Sequence, residues 1–219
     1  LQTGEDEKLE GLPLFFTLLL AIGLAVGLFF ILPAGIGHFT EELFGISRWW
    51  SNVVEGVLRL IILLLYLWLI GKMPEIQRVF AYHGAEHKTI NAFEAGAPLT
   101  PESVARFSLE HTRCGTAFLL DVVVLSILLF SILGPLPVEW RMASRVLLIP
   151  VIAGIAYEYL RWTANHQDLA LVRAITKPNL ALQHLTTREP SLDMLEVSIA
   201  SFNAMRQAEQ QGKEEQLVL

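Results

Sequence analysis

One cysteine, Cys114, stands in the whole chain, which excludes an internal disulfide and suits a reducing compartment. Charge is also scarce. Only 17% of residues are charged while 53% are hydrophobic, too apolar for an ordinary soluble domain. Basic residues are outnumbered, 16 Lys and Arg against 22 Asp and Glu, for a net charge of −6. That excludes the basic footprint nucleic acid requires. The first apolar run has no basic flank. Glu5, Asp6, Glu7 and Glu10 precede it, so it is not a secretory signal. Internal repeats and low-complexity tracts are absent.

What is there in quantity is apolar blocks. Pro13 to Ile31 is almost purely apolar, Val57 to Ile70 carries only Arg59, Ala117 to Leu133 carries only Asp121, and Val146 to Tyr157 carries no charge. A bilayer core takes about 20 residues of helix. With their flanks these blocks predict an all-α, polytopic membrane protein with four transmembrane helices, about 13–33, 53–73, 116–134 and 145–162. Residues 1–12 read as a polar leader, 13–206 as a single membrane domain and 207–219 as a polar tail. Gly35–Asn52 reads as an outer loop, with Trp49 and Trp50 at interfacial depth, and Gly134-Pro135-Leu136-Pro137 as an outer turn.

Lys and Arg set the orientation. Segment 72–115 holds Lys72, Arg78, Lys88, Arg106 and Arg113, and the tail holds Arg161, Arg173, Lys177, Arg188, Arg206 and Lys213. The positive-inside rule puts both, and the N-terminus, in the cytoplasm of a bacterial cell's inner membrane. Three further helices are expected on that face, about 75–95, 101–111 and 192–206. Gly96 and Pro98 stop the first, and Thr100-Pro101 caps and starts the second. Lys177-Pro178 and Glu189-Pro190 read as breaks. In the last helix Leu195, Ile199, Phe202 and Met205 fall on one stripe.

His83-Gly84-Ala85-Glu86-His87 lies on the 75–95 helix. His-x-x-Glu-His is a zinc-hydrolase signature, with two metal-binding His and a general-base Glu. Residues four apart share a helix face, so His83 and His87 can reach one ion, and Glu86 lies on the adjacent edge. The third ligand must come from elsewhere. His111, just before the third span, and Glu158, near the cytoplasmic end of the fourth, are the candidates, with Glu94 in reserve. Glu158 equally suits a helix pair with Arg161. Asp121 belongs either to the site or to a buried pair with Arg113 or Lys88, since ionisable residues within a span are costly. Cys114 reads as a small buried hydrophobe rather than a nucleophile beside His111. Leu185-Thr186-Thr187-Arg188-Glu189 reads as a structural hydrogen-bond knot rather than an anion site.

Several motifs in one order resemble a known family. Tyr82-His83-Gly84-Ala85-Glu86-His87-Lys88-Thr89, Glu94, His111-Thr112-Arg113-Cys114-Gly115-Thr116, Tyr157-Glu158 and Leu182-Gln183-His184-Leu185-Thr186-Thr187-Arg188-Glu189-Pro190 are similar to the DUF1385 family of bacterial membrane proteins. The resemblance implies location, topology and a predicted metal-dependent enzyme, and leaves the reaction open. Members carry an upstream Gly-Gln-Ala-Val-Met-Glu-Gly-type segment. Its absence here leads to the expectation of a truncated or split protein.

The expected function is a metal-dependent hydrolase at the cytoplasmic face, acting on a membrane-associated substrate and using a divalent transition metal such as zinc. Membrane lipid is the expected partner, with a protein partner at the C-terminal helix a further option. Two other readings stand beside it. One is a scaffold or assembly factor with a structural polar knot. The other is a small-solute or ion carrier using Asp121 and Glu158, against which the clustering of polar residues near one face counts.

Overall fold

The computed structural model describes residues 11–134 and 136–218, with the side chains of Arg48, Val138 and 213–218 left out. The polar leader and Pro135 of the outer turn therefore fall outside or nearly outside the described residues. The described chain is helical, with no strand among its described residues: α1 (Leu12–Val26), a π-helical turn (Gly27–Ile31), α2 (Leu32–Phe44), α3 (Arg48–Ile70), α4 (Pro74–Glu94), α5 (Pro101–Val104), α6 (Gly115–Leu133), α7 (Val138–Leu147), α8 (Ile149–Asn165), α9 (Ala170–Thr186) and α10 (Leu192–Val218). Three helical stretches are long and apolar enough to cross a membrane: Leu12–Phe44, Trp49–Ile70 and Gly115–Leu133. Glu139–Leu147 with Ile149–Asn165, bent by 43°, make a fourth if the pair is one span.

Five features depart from the sequence expectation, one being α10, which continues past 206 to Val218. The first helical stretch does not stop near residue 33. It continues through Pro33 to Gly45, whose φ of +63° ends it in the left-handed region that glycine tolerates. Pro33 has no N–H for the carbonyl four residues back, that of Phe29. The π-helical turn lies there, and Arg59 Nε donates to the Phe29 carbonyl (2.7 Å). The 145–162 span is bent where α7 meets α8, next to Pro150. Pro178 does not break the chain but lies inside α9, whose buried face of Val172, Thr176, Asn179, Leu182, Gln183 and Thr186 outweighs its helix penalty. Finally, α5 ends at Val104, and 105–114 is irregular rather than helical to 111.

The helical contacts group into two compact units. The first takes the described part of Leu1–Leu63 with Val123–Ala153. Its interior is held by charge. Glu55 accepts from Arg59 Nη2 (2.8 Å), from Arg145 Nε and Nη2 (both 2.7 Å) and from Arg141 Nη2 (3.3 Å). Arg141 also donates to Glu41 (2.6 Å) and Ser51 (2.8 Å), and Arg59 to Ser126 (2.7 Å). Arg145 lies 4.0 Å over the Phe130 ring. Gly37 lets the chain approach closely here, since a Cβ would meet Arg141 Nη2 at 2.9 Å and the Ser51 carbonyl at 3.1 Å.

The second unit takes Leu64–Val122 with Gly154–Leu219. Pro74 opens α4 and Gly96, at φ +67°, follows its end. Thr100 caps α5 by accepting from the Ser103 N–H. Ala85 and Ala92 of α4, Val104, and Leu195 and Ile199 of α10 form its apolar core, and this packing fixes the helix that carries the His pair.

Candidate metal centre

Side chains of α4 hold the irregular segment 105–114 by its carbonyls. Lys88 Nζ donates to Ala105 and Phe107, Asn91 Nδ2 to Ser108 and Glu110, and His87 Nδ1 to Leu109. Those carbonyls would otherwise serve a helix, which explains why α5 is short. From the other side Gln183 of α9 pairs with the backbone of His111, accepting from its N–H (2.9 Å) and donating to its carbonyl (2.8 Å). The segment is thereby fixed where it delivers His111, Arg113 and Cys114 beside α4.

His83 and His87 lie one turn apart with ring centroids 4.3 Å apart. His83 Nδ1 is 2.9 Å from the Thr186 carbonyl and His87 Nδ1 is 2.5 Å from the Leu109 carbonyl. A carbonyl only accepts, so each Nδ1 carries a proton, and in the neutral form of either ring the lone pair is on Nε2. Metal-binding histidines are oriented this way, with the remote ring nitrogen tied to an acceptor. Cys114 Sγ sits 3.3 Å from His83 Nε2. Among the described residues, the donor atoms that converge are those of His83, His87 and Cys114, all within 4.8 Å of one another. Around a tetrahedral zinc, bonds of about 2.0–2.3 Å put neighbouring donors about 3.3–3.6 Å apart. Two imidazole lone pairs and a thiolate are a fitting donor set for such an ion.

The thiol is prepared for ionisation. Burial pushes it up, but hydrogen bonds from His83, His87 and Thr116 overcome that and leave it at about 5. Cys114 immediately precedes α6, and its sulfur accepts from the Thr116 N–H (3.3 Å), so the helix N-terminus also favours the thiolate. His83 moves the opposite way, raised chiefly by its hydrogen bond to Cys114. With no cation between them, the two shifts favour moving the proton from the sulfur toward His83.

Tight packing around Gly84 locks the position of His83. A Cβ at Gly84 would overlap the Arg188 carbonyl and crowd Leu109 Cδ2 (2.8 Å). The Arg188 N–H donates to the Phe80 carbonyl (2.9 Å) and Thr186 Oγ1 meets Thr116 Oγ1 (3.1 Å). The segment 185–189 is a hydrogen-bond knot, and its Thr186 carbonyl sets the His83 tautomer.

A cavity of about 250 Å³ opens onto these donors, lined by His83, Glu86, His87, His111, Arg113 and Cys114 among others. Glu86 is exposed on its edge. His111 is in the wall, but its hydrogen bonds are reversed. Its Nδ1 accepts from the Arg113 N–H (3.3 Å), and its Nε2 is 3.6 Å from a Glu94 carboxylate oxygen. Burial keeps its pKa low. Glu94 also holds Arg113 (3.1 Å). Glu158 is exposed on α8 and is not among the cavity's lining residues. Asp121 is buried with Asn179 of α9 (2.9 Å), rather than with Arg113 or Lys88. Lys88 instead pairs with Glu189 (2.8 Å).

Sequence reasoning expected Cys114 to be buried, as it is, but did not place it with the His pair. The available signal was its place just before a helix that begins at Gly115-Thr116, where a thiolate is favoured. It also passed over Glu55, whose i, i+4 spacing to Arg59 in an apolar helix marks a buried pair.

The family model described as "Protein of unknown function (DUF1385)" matches residues 1–208. The chain is also 34% identical over 216 residues to "Uncharacterized protein YqhQ" of Bacillus subtilis (strain 168), covering 97% of this chain and 68% of that relative. No solved structure matches. The chain belongs to the DUF1385 family.

Proposed function

We propose that this protein is a multi-pass protein of the bacterial inner membrane and a metal-dependent hydrolase, with its site at the cytoplasmic face. The observation that carries the metal reading is the convergence of donors: both histidines spend Nδ1 on backbone carbonyls, His83 Nε2 lies 3.3 Å from Cys114 Sγ, and a donor atom of His87 lies within 4.8 Å of both. His83, His87 and Cys114 hold the ion, so the third ligand is the thiolate in preference to His111 or Glu158. Zinc bound by three protein ligands supplies Lewis acidity and lowers the pKa of water toward about 7. Glu86, exposed on the cavity edge, accepts the proton from the attacking water. Arg113 and His111 line the same cavity and suit an anionic group on a membrane-associated substrate.

Metal analysis of the purified chain tests this. About one divalent transition metal per chain is expected, as for one such site. His83→Ala, His87→Ala and Cys114→Ser should each lose it, and Glu86→Gln should retain it. Full retention in the His83→Ala/His87→Ala double variant rejects the centre. The orientation follows from the Lys and Arg asymmetry. Cysteines placed in 96–110 should resist impermeant labels in intact cells, and labelling there from outside would rule out a cytoplasmic site.

The 3.3 Å contact of Cys114 with His83, with the thiol lowered and the imidazole raised, favours a second reading, a cysteine nucleophile activated by His83. A covalent adduct on Cys114 that forms only in chelator-treated protein supports the metal centre, because the ion then occupies the thiolate. Adduct formation undiminished by added zinc supports the nucleophile.

A further inference from the structure

A second cavity flanks the same helix. It is about 370 Å³, within the range of small-molecule sites, and lies between α4 and α10. Ile90, Val197, Phe202 and Met205 give it an apolar lining. Of its four hydroxyl-bearing residues, Tyr82, Thr89, Ser198 and Ser201, two satisfy each other, Thr89 Oγ1 lying 2.9 Å from Ser198 Oγ. The one charged residue in its lining is Glu86. Glu86 and Ile90 also line the His/Cys cavity, so the two cavities share a wall. Helix geometry explains the sharing. Successive residues are about 100° apart, so the 82/86/90 stripe adjoins the 83/87 stripe on the same helix.

An apolar slot with its only charge at the edge of a polar, basic-lined cavity is complementary to an amphiphile. We infer that the α4–α10 groove holds one hydrocarbon chain of a membrane lipid and presents its polar end to the His83/His87/Cys114 cavity. This deepens the hydrolase reading and rests on it for the chemistry, while the binding of the chain stands by itself. Val197 and Met205 are exposed along the groove, which leaves it accessible from the side. The amphipathic stripe of α10 thus has an occupant other than a protein partner.

The test uses the full chain in phospholipid nanodiscs with palmitic acid carrying a diazirine on its chain. Photolabelling followed by peptide mapping should place the label on Ile90, Val197, Phe202 or Met205. Ser201→Trp, which fills the groove, should reduce labelling there about tenfold or more, as expected when a bulky side chain occupies a pocket of this size. Met205→Trp should do the same, and wild-type metal content in either variant reports an intact fold. His83→Ala/His87→Ala should lose metal and keep the label. If the wild-type chain holds no metal but labels in the groove in a Ser201→Trp-sensitive way, the groove stands and the metal reading falls. If metal is bound while the label spreads over the apolar spans, or is unchanged in Ser201→Trp and Met205→Trp, the groove proposal is overturned.

Discussion

In the first unit Glu55 accepts four hydrogen bonds from three arginines, and Ser51, Asn52, Ser126 and Glu41 take most of the remaining donors. In the second unit His83 and His87 spend Nδ1 on backbone carbonyls, and a second set of donors, with Cys114 Sγ, converges within 4.8 Å beside a cavity. Both clusters are polar groups packed in apolar surroundings. The first is nearly saturated, with Arg141 Nε the one atom of that cluster left without a partner among the described residues, and Glu55 and Arg145 about 1% exposed. A saturated cluster joins helices. A cluster that fixes its atoms and then leaves their lone pairs over is arranged to bind something. Hydrogen-bond saturation separates the two roles better than burial does.

The largest effect that would break this comparison is expected at Glu55. Glu55→Leu leaves Arg59, Arg141 and Arg145 buried without their common counter-charge, and breaking a buried ion pair costs about 3–5 kcal/mol. The variant should lose most folded protein, read by thermal unfolding in detergent. A Glu55→Leu protein that unfolds like the wild type would mean the arginines find other partners and the cluster is no joint.

Gly84→Ala probes the second cluster without touching a ligand. The added methyl pushes on the Arg188 carbonyl and so moves the segment whose Thr186 carbonyl orients His83. Disturbing such an orienting contact typically costs about 10–100-fold in metal affinity. Zinc titration against a competing chelator measures it, and unchanged affinity would detach the 185–189 knot from the site.

Next in size is the protonation of Cys114. In chelator-treated protein its thiol is held at about 5, against about 8.5 for a free cysteine. Alkylation should therefore stay fast as pH falls and decline only as pH passes down through about 5. His83→Ala removes a hydrogen bond that stabilises the thiolate, so its midpoint should move up and alkylation at pH 7 should slow. A midpoint unmoved by His83→Ala would leave the helix N-terminus as the main cause.

The helical class, the apolar spans and the His pair were legible because each is a local pattern: long apolar runs, an i, i+4 spacing, a Thr-Pro helix start. What escaped was set by partners far along the chain. Segment 105–111 has helix-compatible residues, but Lys88, Asn91 and His87 claim its carbonyls. Pro178 is a breaker by propensity, and a buried α9 face overrides it. Pro33 follows a π-helical turn, within which the Phe29 carbonyl accepts from Arg59. Cys114 meets the His pair only when α4 is laid beside the start of α6, a contact that composition does not show.

The smallest effect is expected at Glu158, and its smallness is informative. The sequence made this residue a candidate third ligand because it stands near the end of an apolar helix. In the structure it is exposed on α8, three residues from the also exposed Arg161, a spacing at which opposite charges attract weakly. It does not line the cavity onto which His83, His87 and Cys114 open, and Cys114 Sγ lies within 4.8 Å of the His donors. Exposed substitutions of this kind usually change stability by no more than about 0.5 kcal/mol. Glu158→Gln should therefore keep the metal content of the wild type and unfold within about that margin, while Cys114→Ser loses the metal. The paired measurement decides which residue completes the set. Loss of metal in Glu158→Gln with retention in Cys114→Ser would return the third position to the carboxylate, and would require α8 to turn that face toward α4 when the ion binds.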